Sequence, residues 1–155
     1  LPLEEEYPTS SVGAGKRASS TGRQETDREG DICLLAKTFF DCKEYKRAAA
    51  HLSGATSKRA AFLRGYATYL AGAKGREEEL VERAGPLGKA DAVNEELEGL
   101  EAELSRLHAA RGLDGFGLYL FGLVLIDLER EAEALAVLSA SVAAFPCNWS
   151  AWQAL

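Results

Sequence analysis

His51 and His108 are the only histidines in the chain, so a zinc site or an imidazole base would have to be built on one of them. Zinc needs three or four ligands brought to one point, and a catalytic imidazole needs a nucleophile and a group to orient it. Each histidine instead sits near the end of an apolar helical stretch, where a packing or surface role is expected. Cys33, Cys42 and Cys147 form no CxxC pair, and no Cys or Ser lies in a nucleophile-elbow or Cys–His setting. The glycine-bearing runs Gly13-Ala14-Gly15-Lys16, Gly85-Pro86-Leu87-Gly88-Lys89 and Gly115-Phe116-Gly117 lack the strand-to-helix context that lets backbone N–H groups cradle a phosphate. The paired carboxylates Glu95-Glu96 and Glu101/Glu103 are expected on solvated helix faces. No catalytic residue, metal or cofactor is expected, and the chain reads as a non-enzyme that acts by binding.

Composition narrows what it binds. The chain has 155 residues, 46% hydrophobic and 27% charged, with a net charge of -6. That is one domain's worth of ordinary globular sequence. A negative balance argues against wholesale binding to nucleic acid or an acidic membrane, both of which need a positive field. Cys33 and Cys42 lie about 13 Å apart by helix rise if they share one helix, too far to bridge. A reducing compartment, nucleus or cytoplasm, is therefore expected. No signal peptide or run of about twenty apolar residues stands out, and Phe116 to Ile126 is short for a membrane span. The chain contains no methionine and begins at Leu1, and its last helix is cut short by the repeat pattern below. It is read as a piece of something longer.

The elements that position these residues announce themselves through one spacing. With Gly115 as the first place of a 34-residue helix-turn-helix unit, Leu118, Phe121, Gly122, Leu125, Ala134, Leu138, Ser141 and Pro146 take the fourth, seventh, eighth, eleventh, twentieth, twenty-fourth, twenty-seventh and thirty-second places. A tetratricopeptide repeat (TPR) wants large, large, small, large, small, large, small and proline there. Gly122 and Ala134 let two antiparallel helices approach, the large residues fill the layer between them, and Pro146 stops the second helix. The next unit opens at Trp149. One hairpin cannot bury its own apolar face, so about three repeats must stack.

Read from the N-terminus, residues 1–30 are Ser-, Gly-, Thr- and charge-rich and predict a flexible arm, with order beginning near Asp31 as an N-cap. Residues 31–155 predict an all-α TPR superhelix of about three repeats plus a truncated fourth. The first repeat spans about 29–62, with Ile32, Leu35, Ala36, Phe39, Ala48, Leu52 and Ala55 as layer residues and helices at roughly 31–42 and 45–53. The second spans 58–111. Its first helix carries Phe62, Tyr66 and Tyr69 on one stripe and is expected to end at Gly72. A loop insertion follows at 73–93, with Glu77 to Glu79 in a solvated turn or short helix. The second helix of that repeat shows Leu97, Leu100, Leu104 and Leu107 at helical spacing. The third repeat spans 115–148, and 149–155 begins another.

The helix opening at Gly115 says most about binding. Stacking requires apolar or small residues at four of its places, yet Phe116, Tyr119, Leu120, Leu123, Val124 and Ile126 fill most of the rest. A helix that is hydrophobic nearly all round is buried on both sides. First helices line the concave wall of a TPR superhelix, so Tyr119, Leu123 and Ile126, joined by Phe40, are expected to face the groove. Either these residues pack on each other across a narrow groove, or a peptide or a second copy of the domain covers them.

Several runs resemble a known family. They are Leu35-Ala36-Lys37-Thr38-Phe39-Phe40-Asp41 with Glu44-Tyr45-Lys46-Arg47-Ala48-Ala49, then Tyr69-Leu70-Ala71-Gly72, then Gly85-Pro86-Leu87-Gly88-Lys89. Leu113-Asp114-Gly115-Phe116-Gly117-Leu118-Tyr119-Leu120 and Trp149-Ser150-Ala151-Trp152 complete them. Over about 31–155 the chain resembles the N-terminal region of the subunit-eight family of the anaphase-promoting complex (cyclosome), the cell-division-cycle twenty-three proteins. The resemblance implies a scaffold subunit of a multisubunit ubiquitin ligase, nuclear and cytosolic, acting in mitosis beside other TPR and scaffold subunits. It also implies an intertwined homodimer of N-terminal repeats, with Phe40, Phe116, Tyr119, Leu120, Leu123 and Ile126 as interface residues. The co-activator groove of that family is expected beyond Leu155. The alternative is a peptide-docking TPR adaptor of co-chaperone type, which grips an acidic C-terminus with groove cations. The groove places here offer Lys37, against Cys33, Phe40, Asp41, Leu123 and Asp127.

Overall fold

The structure, a computed structural model, describes residues 20–85 and 92–155. Among these, seven helices and no strand are found: α1 (Ser20–Asp41), α2 (Tyr45–His51), α3 (Lys58–Ala84), α4 (Leu97–Ala109), α5 (Gly115–Asp127), α6 (Glu131–Ala144) and α7 (Trp149–Ala154). Each helix packs on the next in sequence, and α1, α3, α5 and α7 also touch in a row. A row of first helices with the second helices behind it is the TPR arrangement, three hairpins and the opening of a fourth.

Two local devices set the beat. The row helices α3, α5 and α7 start on a side chain that accepts a backbone N–H: Ser57 from Ala60, Asp114 from Gly117 at 2.8 Å, and Asn148 from Ala151. The hairpin turns end their first helix on a residue forced into the left-handed region. Lys43 (φ 60°) and Glu129 (φ 59°) hold the same place in the first and third repeats. In each, that residue's own N–H and the next one fold back onto the helix end, as in Glu129 N to Ile126 O and Arg130 N to Leu125 O, both 2.9 Å. Arg130 then forks onto Glu133 (2.8 and 2.6 Å) and reaches Glu101 of α4 at 2.8 Å, tying α4 to the first turn of α6. This guanidinium holds the Glu133 carboxyl below its ordinary pKa.

The core follows the repeat places. Phe121, Leu125, Ala134, Leu138 and Ser141 are buried between α5 and α6. A Cβ at Gly122 would lie 2.5 Å from Leu138 Cδ2, so only glycine allows this crossing. Ser141 Oγ donates to Gly115 O at 2.6 Å, satisfying one polar group inside the layer. In the first repeat Ala36, Ala48 and Leu52 are buried as expected, but Ile32 and Leu35 remain exposed. They belong to α1, the first helix of the row among the described residues.

Three expectations change. Residues 20–30 are helical rather than part of a flexible arm, and Asp31 lies inside α1 instead of capping it; residues 1–19 lie outside the described set. The helix expected to stop at Gly72 continues to Ala84, so 73–84 of the anticipated loop is helix, and Gly85 (φ 70°) closes it. Gly72 is a notch instead. A Cβ there would sit 1.7 Å from Asn94 Oδ1. Buried Asn94 fills that notch, donates to Tyr69 O at 3.2 Å and accepts from Glu96 N at 3.0 Å, clamping the approach to α4 against the middle of α3. Most of the Gly85–Lys89 run lies outside the described residues.

Candidate interaction surface

A continuous ladder of aromatic rings runs over the row helices, from Tyr45 at the start of α2 to Phe145 at the end of α6. Tyr45 meets Phe40 edge-on at 5.3 Å between centroids, and Phe40 stacks on Tyr66 at 5.7 Å. Tyr66 stacks on Phe62 (5.6 Å) and on Tyr69 (6.4 Å), Phe62 meets Phe116 (5.7 Å), and Phe116 meets Phe145 (5.1 Å). Helical spacing explains the stripe on α3: Phe62, Tyr66 and Tyr69 fall at intervals of four and three. The ladder crosses α1, α3 and α5, so it forms one wall from three repeats.

Tyr119 joins that wall. Burial, with Tyr66 beside it, raises its pKa above the usual phenol range, opposed in part by Ser150 of α7 as a hydrogen-bonding neighbour. The Tyr69 hydroxyl donates to Asp127 Oδ2 at 2.9 Å, and burial with that carboxylate raises its pKa further. The Tyr69–Asp127 bond ties α3 to α5 along the wall. Beneath Phe62 an apolar pocket of about 130 Å³ opens between Leu100, Leu104, Leu113 and Leu120, deep enough for one large side chain.

The expected interface residues divide. Phe40 and Phe116 stand on the ladder, Tyr119 lies beside Tyr66, and Phe116 is 41% exposed. Leu123 is half-buried on the same helix. Ile126 is 38% exposed but lies apart, in a cleft with Leu135 and Leu155 toward α7. Leu120 is 0% exposed and packs against Gly65 of α3, so it cannot meet a partner and leaves the set. Tyr66, Phe62 and Phe145 belong to the wall, although only the α3 stripe was visible in the sequence. Phe145 lies beyond α6, where no periodicity points.

The candidate chemical groups resolve as packing groups. His51 stacks flat on Phe39 at 5.0 Å, whose ring also carries the Arg47 guanidinium at 4.6 Å, and His108 meets Phe121 at 5.5 Å. Among the described residues no three His, Cys, Asp or Glu side chains cluster as a metal site. Nor is any described helix long and apolar enough to cross a membrane.

A family described as "Anaphase promoting complex subunit 8 / Cdc23" matches residues 4–155 of the chain. The chain belongs to that family. Among curated relatives of the subunit 8 / Cdc23 family, the chain is 49% identical over 148 residues to "Anaphase-promoting complex subunit 8" of Arabidopsis thaliana, covering 96% of this chain and 26% of the relative. It is 48% identical over 129 residues to "Cell division cycle protein 23 homolog" of Mus musculus, covering 83% of this chain and 22% of the relative. To the Bos taurus homolog it is 43% identical over 152 residues, 98% of this chain and 24% of the relative. The chain therefore spans about a quarter of the length of the curated relatives it matches. The subunit 8 / Cdc23 match includes α1, the whole ladder and α7, so the wall lies inside the shared region.

Proposed function

We propose that this chain is the self-associating part of a non-catalytic scaffold subunit of the anaphase-promoting complex, a multisubunit ubiquitin ligase of cell division. It works in nucleus and cytoplasm beside other TPR and scaffold subunits, and its aromatic wall receives a second copy of itself. The observation that carries this reading is the wall: an aromatic face spanning three repeats, with Phe116 and Phe145 each about 40% exposed. A matching apolar surface exists on the same chain, because Ile32 and Leu35 of α1 stand exposed. A contiguous apolar face of this size is seldom left bare.

The adaptor alternative fits less well. Lys37, the cation expected near the groove, already faces the Asp41 carboxylate at 2.5 and 2.7 Å, which offsets its charge toward an acidic C-terminus. Sedimentation equilibrium tests the proposal. At micromolar concentration the species should have twice the chain mass of 16.7 kDa. A monomer across the micromolar range would remove the homodimer from it.

A further inference from the structure

Beyond Tyr45, at the α2 end of the aromatic ladder, a cleft of about 250 Å³ runs between the start of α2 and the middle of α3. Ala71 and Gly75 form its floor, and nothing lies within 4 Å of where a Cβ on Gly75 would be, so a ligand can approach the helix backbone. Lys43, Lys46 and Lys74 stand on its walls, all exposed. The two carboxylates in the cleft are already engaged. Glu44 pairs with Arg47 at 3.8 Å and Glu78 with Lys74 at 3.8 Å. Lys43 and Lys46 have no ion-pair partner among the described residues, in a chain whose net charge is -6. Over this small-residue floor ammonium groups outnumber carboxylates, Lys43, Lys46 and Lys74 against Glu44 and Glu78, on an otherwise negative molecule. The adjoining cleft, which shares Lys46, Ala71 and Gly75, carries Arg76 with Glu79, Glu95 and Glu96, so the excess of positive charge is confined to the α2 end.

We propose that this cleft docks an acidic peptide segment of a partner protein, with Lys43 and Lys46 receiving its carboxylates and Ala71 and Gly75 letting its backbone lie close to α3. The site goes beyond self-association and does not depend on it, since neither lysine belongs to the ladder. Carboxylate side chains on an extended segment would meet the ammonium groups as charge-assisted hydrogen bonds. Such a contact sets partner choice and encounter rate more than raw affinity, and it weakens as salt rises.

The test uses the 155-residue chain and fluorescein-labelled hexaglutamate peptide, read by fluorescence anisotropy at low salt. Saturable binding is expected, weakened at least about tenfold by the double change Lys43→Glu and Lys46→Glu. Both side chains are exposed, so the helices should melt at the wild-type temperature. The control double change Lys58→Glu and Arg59→Glu removes the same charge outside the cleft and should leave binding as it was. Absence of saturable binding by the wild-type chain overturns the proposal. So does an equal loss in the control, which would mean general attraction to a polyanion, or undiminished binding by the Lys43/Lys46 variant.

Discussion

Gly122 and Glu129 sit seven residues apart on one hairpin and make opposite predictions. At Gly122 the added methyl of Gly122→Ala would fall 2.5 Å from Leu138 Cδ2, in a layer where Leu138 is 1% exposed and has nowhere to retreat. Overpacking should cost about 1–3 kcal/mol, read as a lowered midpoint in urea. At Glu129 the backbone already occupies the left-handed region (φ 59°), which disfavours any residue with a Cβ. Glu129→Gly should raise stability by about 0.5–1 kcal/mol, because its side chain makes no ion pair among the described residues. The first effect was legible in the sequence, since a repeat fixes where two helices cross. The second was not. A left-handed turn advertises itself through glycine or asparagine, and this chain uses lysine and glutamate there.

Helix boundaries show where sequence signals run out. Glycine both ends helices and makes room for neighbours, and Gly72 was read as an end when it is a notch for Asn94. Nothing in the local sequence distinguishes the two, because the residue that decides lies beyond an insertion. Asn94→Ala should empty the notch and orphan the Glu96 N–H, while Tyr69 C=O keeps its bond inside α3. A cost of about 1–3 kcal/mol is expected, with faster hydrogen exchange at the start of α4 before any change at α5. The early start of α1 has a comparable cause. Glu29 accepts N–H bonds from Thr56 (2.9 Å) and Ser57 (2.7 Å), holding α1 to the first turn of α3 and keeping the Glu29 carboxyl below its ordinary pKa. A depressed folded pKa stabilises above the unfolded value and is lost as pH falls through the folded one. The chain should therefore soften below the usual carboxylate range. Glu29→Gln should show a shallower fall in melting temperature between neutral and acid pH.

At the scale of the whole molecule, the doubly apolar α5 was the most informative stretch of sequence, because only four of its places are needed for stacking. What periodicity could not supply was the registration of α5 against α3, which sends Leu120 inward onto Gly65 and sets Phe116 beside Phe62. That registration also permits a test of how two copies would meet. If the exposed α1 stripe of each copy lies on the aromatic wall of the other, a two-fold dimer holds two identical contacts, each made of one stripe and one wall. Leu35→Glu spoils the stripe and leaves the wall; Tyr119→Glu spoils the wall and leaves the stripe. Either variant alone has both contacts damaged, and burying a carboxylate against apolar side chains should make it monomeric at micromolar concentration. In a mixture, one contact joins an intact stripe to an intact wall, while the other combines both faults and has little further to lose. The mixed pair should therefore associate where neither variant does alone, seen as a mass step on combining them in sedimentation. If the mixture stays monomeric while the parent chain is dimeric, stripe and wall do not meet, and the copies join through another face.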